Sequence, residues 1–177
     1  MISLVRAQEI CDNKLLGLKE DFRKKAWLWL ERMREKNINP LIYCGFRSFS
    51  DQTKLYALGR TESGKIVTNA KEGQSFHNYG LAFDWVPLRE NKKNSGFWES
   101  DWDNDELYKI GASIGHDIDV VPIKWETGHL QDGRYETFRN IPAKGYFHIM
   151  QRQADDFPPV QEKQGILKRF LGGWATR

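Results

Sequence analysis

The N-terminal part of the chain carries hydrophobic side chains at the spacing of one helix face. In the segment 14–36 these are Leu15, Leu18, Phe22, Ala26, Trp29, Leu30 and Met33. This period predicts a single amphipathic helix over the whole segment. Asp12 or Asn13 is expected to cap its start, and the polar residues of 37–40 to end it.

Shorter hydrophobic runs, separated by Gly, Pro and polar segments, predict the remaining elements. The predicted strands are 41–44, 81–86, 120–125 and 146–150, and the predicted helices are 51–58 (capped by Ser50), 104–114 and 166–171. The polar segments 59–73, 89–102 and 126–144 are predicted to be loops, the first with a short hairpin at 65–68. Together these elements predict an α+β fold in which helices pack against a small antiparallel sheet.

Length and composition favour one soluble globular domain. The 177 residues, 40% hydrophobic and 29% charged, predict a single domain over 1–177, with a core at about 14–150 and a C-terminal tail at 151–177. The net charge of +3 suits an anionic partner, and without a Lys/Arg stripe we expect wall polymer rather than nucleic acid. No apolar run is long enough for a signal peptide or a membrane span, so we expect synthesis in the cytoplasm.

The segment S-F-H-N-Y-G-L-A-F-D, residues 75–84, holds a histidine and a carboxylate seven positions apart. On one helix His77 and Asp84 would lie about 10 Å apart along the axis, and on one strand they would face opposite sides. They can share a ligand only if His77 lies in a turn and Asp84 in the strand that follows, and Gly80 lets such a turn bend. One His and one carboxylate are part of a catalytic zinc shell, which takes three protein ligands.

A third ligand has to come from elsewhere in the chain, and three other histidines are available. His148 lies in an apolar strand that is expected beside the strand of Asp84. His116 follows a helix end, where a capping role is simpler, and His129 lies in the polar segment 126–144, where we expect it to be solvated. A histidine among aromatic residues is also compatible with a hydrogen-bonded core position, so the pattern alone leaves both interpretations open.

Two motifs taken together resemble a known family. G-F-R-S-F-S-D-Q-T-K-L-Y (45–56), S-F-H-N-Y-G-L-A-F-D (75–84) and the late His148 resemble the zinc L-alanyl-D-glutamate and D-alanyl-D-alanine peptidases. The similarity is greatest to the L-alanyl-D-glutamate endopeptidases of phage endolysins and bacilli. The resemblance implies that His77, Asp84 and His148 bind Zn²⁺, within a small α+β fold of the D-Ala-D-Ala carboxypeptidase and hedgehog-like type.

The resemblance also gives roles to residues around the expected zinc. Arg47 stands at the position of the family's arginine, where a planar guanidinium can face a substrate carbonyl or carboxylate. Gln52, on the following helix, and Ser75, two residues before His77, are expected to bind substrate. Gln52 would also orient the same site, and Ser75 would hydrogen-bond within the segment 75–84. Tyr79 is expected to contact substrate at the cleft wall, although an aromatic residue there suits a core position equally well.

The general base is the point at which the sequence departs from the family. The family has a carboxylate three residues before its last His ligand, and here that position is Gly145. Acidic alternatives within 126–144 are Glu126, Asp132 and Glu136. Glu126 is the preferred candidate, because it directly follows the predicted strand 120–125.

The resulting functional prediction is a monomeric zinc peptidase that cuts the L-Ala–D-Glu bond of peptidoglycan. As a phage endolysin without a signal peptide, it would reach the wall after holin-type release. Two alternatives remain: a D-alanyl-D-alanine carboxypeptidase or dipeptidase, and a non-catalytic wall-binding module that kept zinc and lost its base. Gly145 is the main argument for the second alternative.

Overall fold

The computed structural model describes residues 1–142. The helices are α1 (Leu4–Leu16), α2 (Glu20–Glu35), α3 (Phe49–Ala57) and α4 (Asp105–His116), with short 3-10 helices at Phe76–Tyr79 and Phe138–Asn140. The strands are β1 (Asn39–Cys44), β2 (Ala82–Glu90), β3 (Trp98–Ser100), β4 (Val120–Ile123) and β5 (Glu126–Asp132). The predicted strand 146–150 with His148, the position of Gly145, and the tail 151–177 lie outside the described residues.

The strands form one antiparallel sheet of five strands in the order β1-β2-β5-β4, with β3 paired to the far end of β2. Helices α2 and α4 contact this sheet, and α1 contacts β1. The predicted α+β class with a small antiparallel sheet is therefore confirmed. Among the described residues, no helix is both long enough and apolar enough to cross a membrane.

The long N-terminal helix predicted from the hydrophobic period is in fact two helices. Ser3 caps α1 through its side chain, so the expected caps at Asp12 and Asn13 are wrong. The period continues across the break because Leu15 and Leu18 are both buried in the same core. Lys19, in the turn between the two helices, donates its backbone N–H to Gly80 O at 2.9 Å. This hydrogen bond fastens the turn to the loop that precedes β2.

Two segments predicted to be loops contain strands. Residues 89–102 include β3, which pairs back onto β2, and residues 126–144 include β5, which lies between β2 and β4 in the sheet interior. The error has a physical cause: β5 reads E-T-G-H-L-Q-D, and its buried polar side chains are satisfied by partners rather than by water. Ser48, rather than Ser50, caps α3, and no strand forms at 65–68.

The core beneath the sheet is built from large aromatic side chains. Trp29 on α2 packs against Phe83 and Trp85 of β2, with ring centroids 5.2 and 4.9 Å apart. Gly111 on α4 leaves room for this cluster, since a Cβ there would come within 2.4 Å of the Trp85 ring. This packing fixes β2, which places Asp84 on the opposite face of the sheet.

Candidate metal centre

The loop before β2 turns His77 toward the sheet. Residues Phe76–Tyr79 form one 3-10 turn, which ends at Gly80 in the left-handed region (φ 64°). Asn78 is fully buried and ties the loop down: its amide nitrogen donates to Arg47 O at 3.0 Å, and its Oδ1 accepts from Gly73 N at 3.0 Å. His77 in a turn and Asp84 in the following strand are the arrangement that the seven-residue spacing predicted.

Strand register places three potential ligands in one row across the sheet. Asp84 in β2 is opposite Cys44 in β1 and opposite His129 in β5. Directly paired residues direct their side chains to the same face. His129 is only 5% exposed, so the prediction that it is solvated is wrong. The polar sequence of β5 predicted a loop, and a histidine in a loop would be solvated.

Three donor atoms converge where His77 meets this row. His77 Nε2 lies 3.1 Å from Asp84 Oδ1 and 3.2 Å from His129 Nδ1. His129 Nδ1 lies 3.0 Å from Asp84 Oδ1. Four tetrahedral ligands about 2.0–2.1 Å from a zinc ion are separated by roughly 3.3 Å. The triangle is therefore close to the size of one face of a zinc coordination shell.

The remaining ring nitrogens are bound to oxygen atoms, which sets the direction of the lone pairs. His77 Nδ1 lies 2.7 Å from Gly45 O, and His129 Nε2 lies 3.2 Å from Gln131 Oε1. A carbonyl oxygen only accepts, so His77 Nδ1 and His129 Nε2 carry protons. In the neutral rings that bind a metal, the lone pairs would therefore fall on His77 Nε2 and His129 Nδ1. Metal-binding histidines typically donate their second nitrogen in this way.

The charges at the centre also suit a cation. Burial alone would lower the pKa of His77, but its hydrogen bond to Asp84 outweighs this and raises the pKa to about 10. Burial would raise the pKa of Asp84, yet the bonds from His129 and His77 hold that pKa well below its usual range. The His77 ring is thus protonated and donates to the ionised, buried carboxylate of Asp84, so positive charge is favoured between these atoms, where a metal cation would replace the proton. The donor set fits zinc, with a position left for water.

Arg47 lies at the rim of this centre and is held at several points. Its Nη1 donates to Gln52 Oε1 at 3.0 Å and its Nη2 to Cys44 Sγ at 3.3 Å, while Nη2 lies 3.8 Å from Asp84 Oδ2. Gln52 has no exposed surface, and its Nε2 donates to Ala70 O at 2.8 Å. Gln52 therefore positions Arg47 and does not reach substrate, which corrects its assignment as a substrate-binding residue.

The other two predicted substrate contacts fall in different environments. Tyr79 is only 3% exposed, its hydroxyl donates to Gly73 O, and its ring packs edge-on against Phe49. It supports the metal loop from the core, so its predicted place at the cleft wall is wrong. Ser75 is half-buried at the start of the 3-10 turn, and its side chain makes no capping hydrogen bond there.

Glu126 is the first residue of β5 and is exposed. Burial raises the pKa of Tyr43, and the charges of Asp84 and Glu126 raise it further. Glu126 also stands three residues before His129. The family's carboxylate three residues before the last His ligand is therefore missing before His148, where Gly145 stands, but is present before His129 as Glu126.

The other two acidic candidates have different surroundings. Asp132 has no exposed surface, accepts from Arg134 Nε at 2.9 Å, and lies 3.8 Å from Lys25 Nζ. Arg134 is bound in turn to Asp21 at 2.7 Å. Asp132 is therefore part of an ion network that joins β5 to α2. Glu136 is exposed beyond the end of β5.

Arg47→Lys is expected to keep zinc and fold but to lose about 10²–10³-fold in kcat, the usual cost of one lost oxyanion donor. Lysine keeps the positive charge but lacks the planar guanidinium, whose separate N–H groups can donate to Gln52 and to a substrate oxygen at the same time. Steady-state hydrolysis with zinc analysis measures both quantities. Arg89→Lys, at an exposed pair with Glu99, is the control. A parent-like rate for Arg47→Lys would make Arg47 only a structural charge.

Comparison with known proteins identifies the family of this chain. A model of the VanY family, described as D-alanyl-D-alanine carboxypeptidase, matches residues 17–121. The chain is also 37% identical over 107 residues to the peptidoglycan L-alanyl-D-glutamate endopeptidase CwlK of Bacillus subtilis (strain 168). That match covers 60% of this chain, and the chain spans 60% of the relative's length. The family model covers more than half of the chain, and it includes Arg47, His77 and Asp84: this protein belongs to the VanY family of D-alanyl-D-alanine carboxypeptidases.

Proposed function

We propose that this protein is a zinc-dependent peptidase that hydrolyses the L-alanyl-D-glutamate bond of the peptidoglycan stem peptide. The observation that carries the proposal is the triangle of His77 Nε2, Asp84 Oδ1 and His129 Nδ1, with sides of 3.0–3.2 Å. The choice of bond is supported by the 37% identity to a peptidase named for that bond.

The residues that would hold zinc are His77, Asp84 and His129. When bound, zinc supplies a Lewis acid for a peptide carbonyl and a water whose pKa is lowered to about 7. The protein's own contribution is orientation: Gly45 O and Gln131 Oε1 fix the two imidazole rings. The carboxylate of Asp84 is fixed by the same two rings and faced by Arg47.

Arg47 is the electrostatic partner for the substrate. Its guanidinium is anchored on one side by Gln52, while its Nη2 faces Cys44 and Asp84 at the metal centre. A donor fixed in this way stabilises negative charge that develops on the carbonyl oxygen during hydrolysis. Because Gln52 has no exposed surface, it keeps the fork in place as the substrate binds.

Glu126 is the general base in this proposal. A base accepts the proton of the attacking water and passes it to the leaving amine, and it must lie within hydrogen-bond reach of that water. Glu126 is exposed, so it is free to approach a bound peptide, and it precedes His129 by the spacing expected for the family's base. Its charge acts on Tyr43 together with that of Asp84.

The remaining sequence predictions enter as parts of the same proposal. The chain 1–177 acts as one catalytic domain of the hedgehog-like type and as a monomer. Its cellular role is that of a phage endolysin, made in the host cytoplasm and released to the wall through a holin-type opening. The alternative activity is release of the terminal D-Ala, which the description of the VanY family favours.

Digestion of purified peptidoglycan separates these activities. With zinc present, we expect new D-glutamyl amino termini, identified by amino-terminal labelling and mass spectrometry of the released peptides. Release of free D-Ala without new D-glutamyl termini would assign the carboxypeptidase activity instead. No product from a zinc-loaded protein would favour a non-catalytic wall-binding module.

A further inference from the structure

Cys44 lies in the same row as the proposed zinc ligands. It ends β1, after a register shift between Ile42 and Cys44, and is opposite Asp84 in β2. His129 is opposite Asp84 on the other side. Three adjacent strands therefore each contribute one potential ligand to the same face of the sheet, beneath His77.

The sulfur atom of Cys44 is close to the other donors. Cys44 Sγ, one ring nitrogen of His77 and one carboxylate oxygen of Asp84 all lie within 4.8 Å of one another. Zinc binds a Cys sulfur at about 2.3 Å and a His nitrogen at about 2.0–2.1 Å, so these ligands are roughly 3.5 Å apart around the metal. Cys44 Sγ lies 3.8 Å from His77 Nδ1, so the thiol has to turn toward His77 Nε2 to reach a metal bound there.

A hydrogen bond from Arg47 holds the sulfur atom of Cys44 in place. Arg47 Nη2 donates to Cys44 Sγ at 3.3 Å, and a hydrogen bond of this kind orients and stabilises a coordinating group. Cys44 is half-buried. The second cysteine, Cys11, is fully buried and bonded to backbone atoms of Pro40 and Ile42.

We propose that Cys44 is a fourth metal ligand, which competes with water for the open position of the zinc site. The inference rests on the zinc site of the proposed function and adds a soft sulfur ligand to its N/O donor set. Cys44 would bind the metal as the thiolate, with its proton released to solvent. With water in that position instead, the sulfur would keep its hydrogen bond with Arg47.

Cobalt substitution tests the sulfur ligand without measuring activity. The full-length protein loaded with Co²⁺ is expected to show an intense near-ultraviolet thiolate-to-cobalt absorption band together with the visible bands of a four-coordinate ion. Cys44→Ser should keep the visible bands and lose the thiolate band, whereas Cys11→Ser should match the parent. Competition with a chelator should also show a zinc Kd at least about tenfold higher for Cys44→Ser, the lower end of the cost of losing even an outer contact.

Three outcomes would overturn the inference, and the measurements distinguish them. Cobalt bound in the parent without a thiolate band would exclude Cys44 as a ligand and leave the site of His77, Asp84 and His129 intact. A thiolate band that persists in Cys44→Ser and disappears in Cys11→Ser would show that Cys11, and not Cys44, is the sulfur ligand. Failure of the parent to bind cobalt or zinc at all would instead overturn the proposed function, and the inference with it.

Discussion

Glu126→Gln is expected to lower the rate of peptidoglycan hydrolysis by about 10²–10⁴-fold, the usual contribution of a general base. The amide has nearly the same shape as the carboxylate but cannot take a proton from water. Zinc content should remain near one per chain, because Glu126 is not a member of the ligand triangle. Initial rates on purified wall, with zinc measured on the same samples, give both quantities.

Glu136→Gln is the matched control for the loss of a carboxylate in this region. Glu136 is exposed beyond β5, so its variant should cleave at the parent rate. Asp132 is a poor control, because its carboxylate is buried in the ion network with Arg134 and Lys25. If Glu126→Gln cleaves as fast as the parent, another group accepts the proton and the assignment of Glu126 fails.

The second large effect is expected at the metal ligands. His129→Ala should remove zinc and abolish hydrolysis, as should His77→Ala, because each variant takes one corner from the triangle of donor atoms. The three N/O donors are the ligands of the catalytic form of the site, so the loss of either histidine should weaken the hold on the ion enough to remove it. Metal analysis of protein purified without added zinc measures the effect, and His116→Ala at the exposed end of α4 is the control.

His148 gives this prediction its sharpest comparison. The family resemblance makes His148 the third ligand, and this assignment stays a prediction because the residue lies beyond the described part of the chain. The geometry of β5 favours His129, so we expect His148→Ala to keep its zinc. Zinc lost in His148→Ala and retained in His129→Ala would restore the original assignment.

The loop that carries His77 could be predicted from the sequence, because its conformation depends only on residues that are close together in the chain. The seven-residue spacing between His77 and Asp84 excludes a shared helix or strand, and Gly80 supplies the positive φ that the turn requires. The resemblance directed attention to Arg47 for the same reason, since it lies in a short continuous motif. The two motifs fall within residues 17–121, which the family model matches.

The third ligand was missed because it depends on strand pairing between distant segments. His129 faces Asp84 through the β2–β5 register, and a polar sequence such as E-T-G-H-L-Q-D gives no hydrophobic alternation to reveal a buried strand. One local signal was available: Glu126 stands three residues before His129, as the family's base does before its last ligand. The break between α1 and α2 was missed for a related reason, since a hydrophobic period records burial and not chain continuity.

Anomalous diffraction at the zinc absorption edge, from crystals of the zinc-loaded protein, is the most direct test of the central claim. We expect one zinc per chain, about 2.0–2.2 Å from His77 Nε2, Asp84 Oδ1 and His129 Nδ1. A zinc held by His77, Asp84 and His148, with His129 away from the metal, would contradict the assignment of the third ligand. An anomalous peak away from His77 and Asp84 would contradict the metal centre itself.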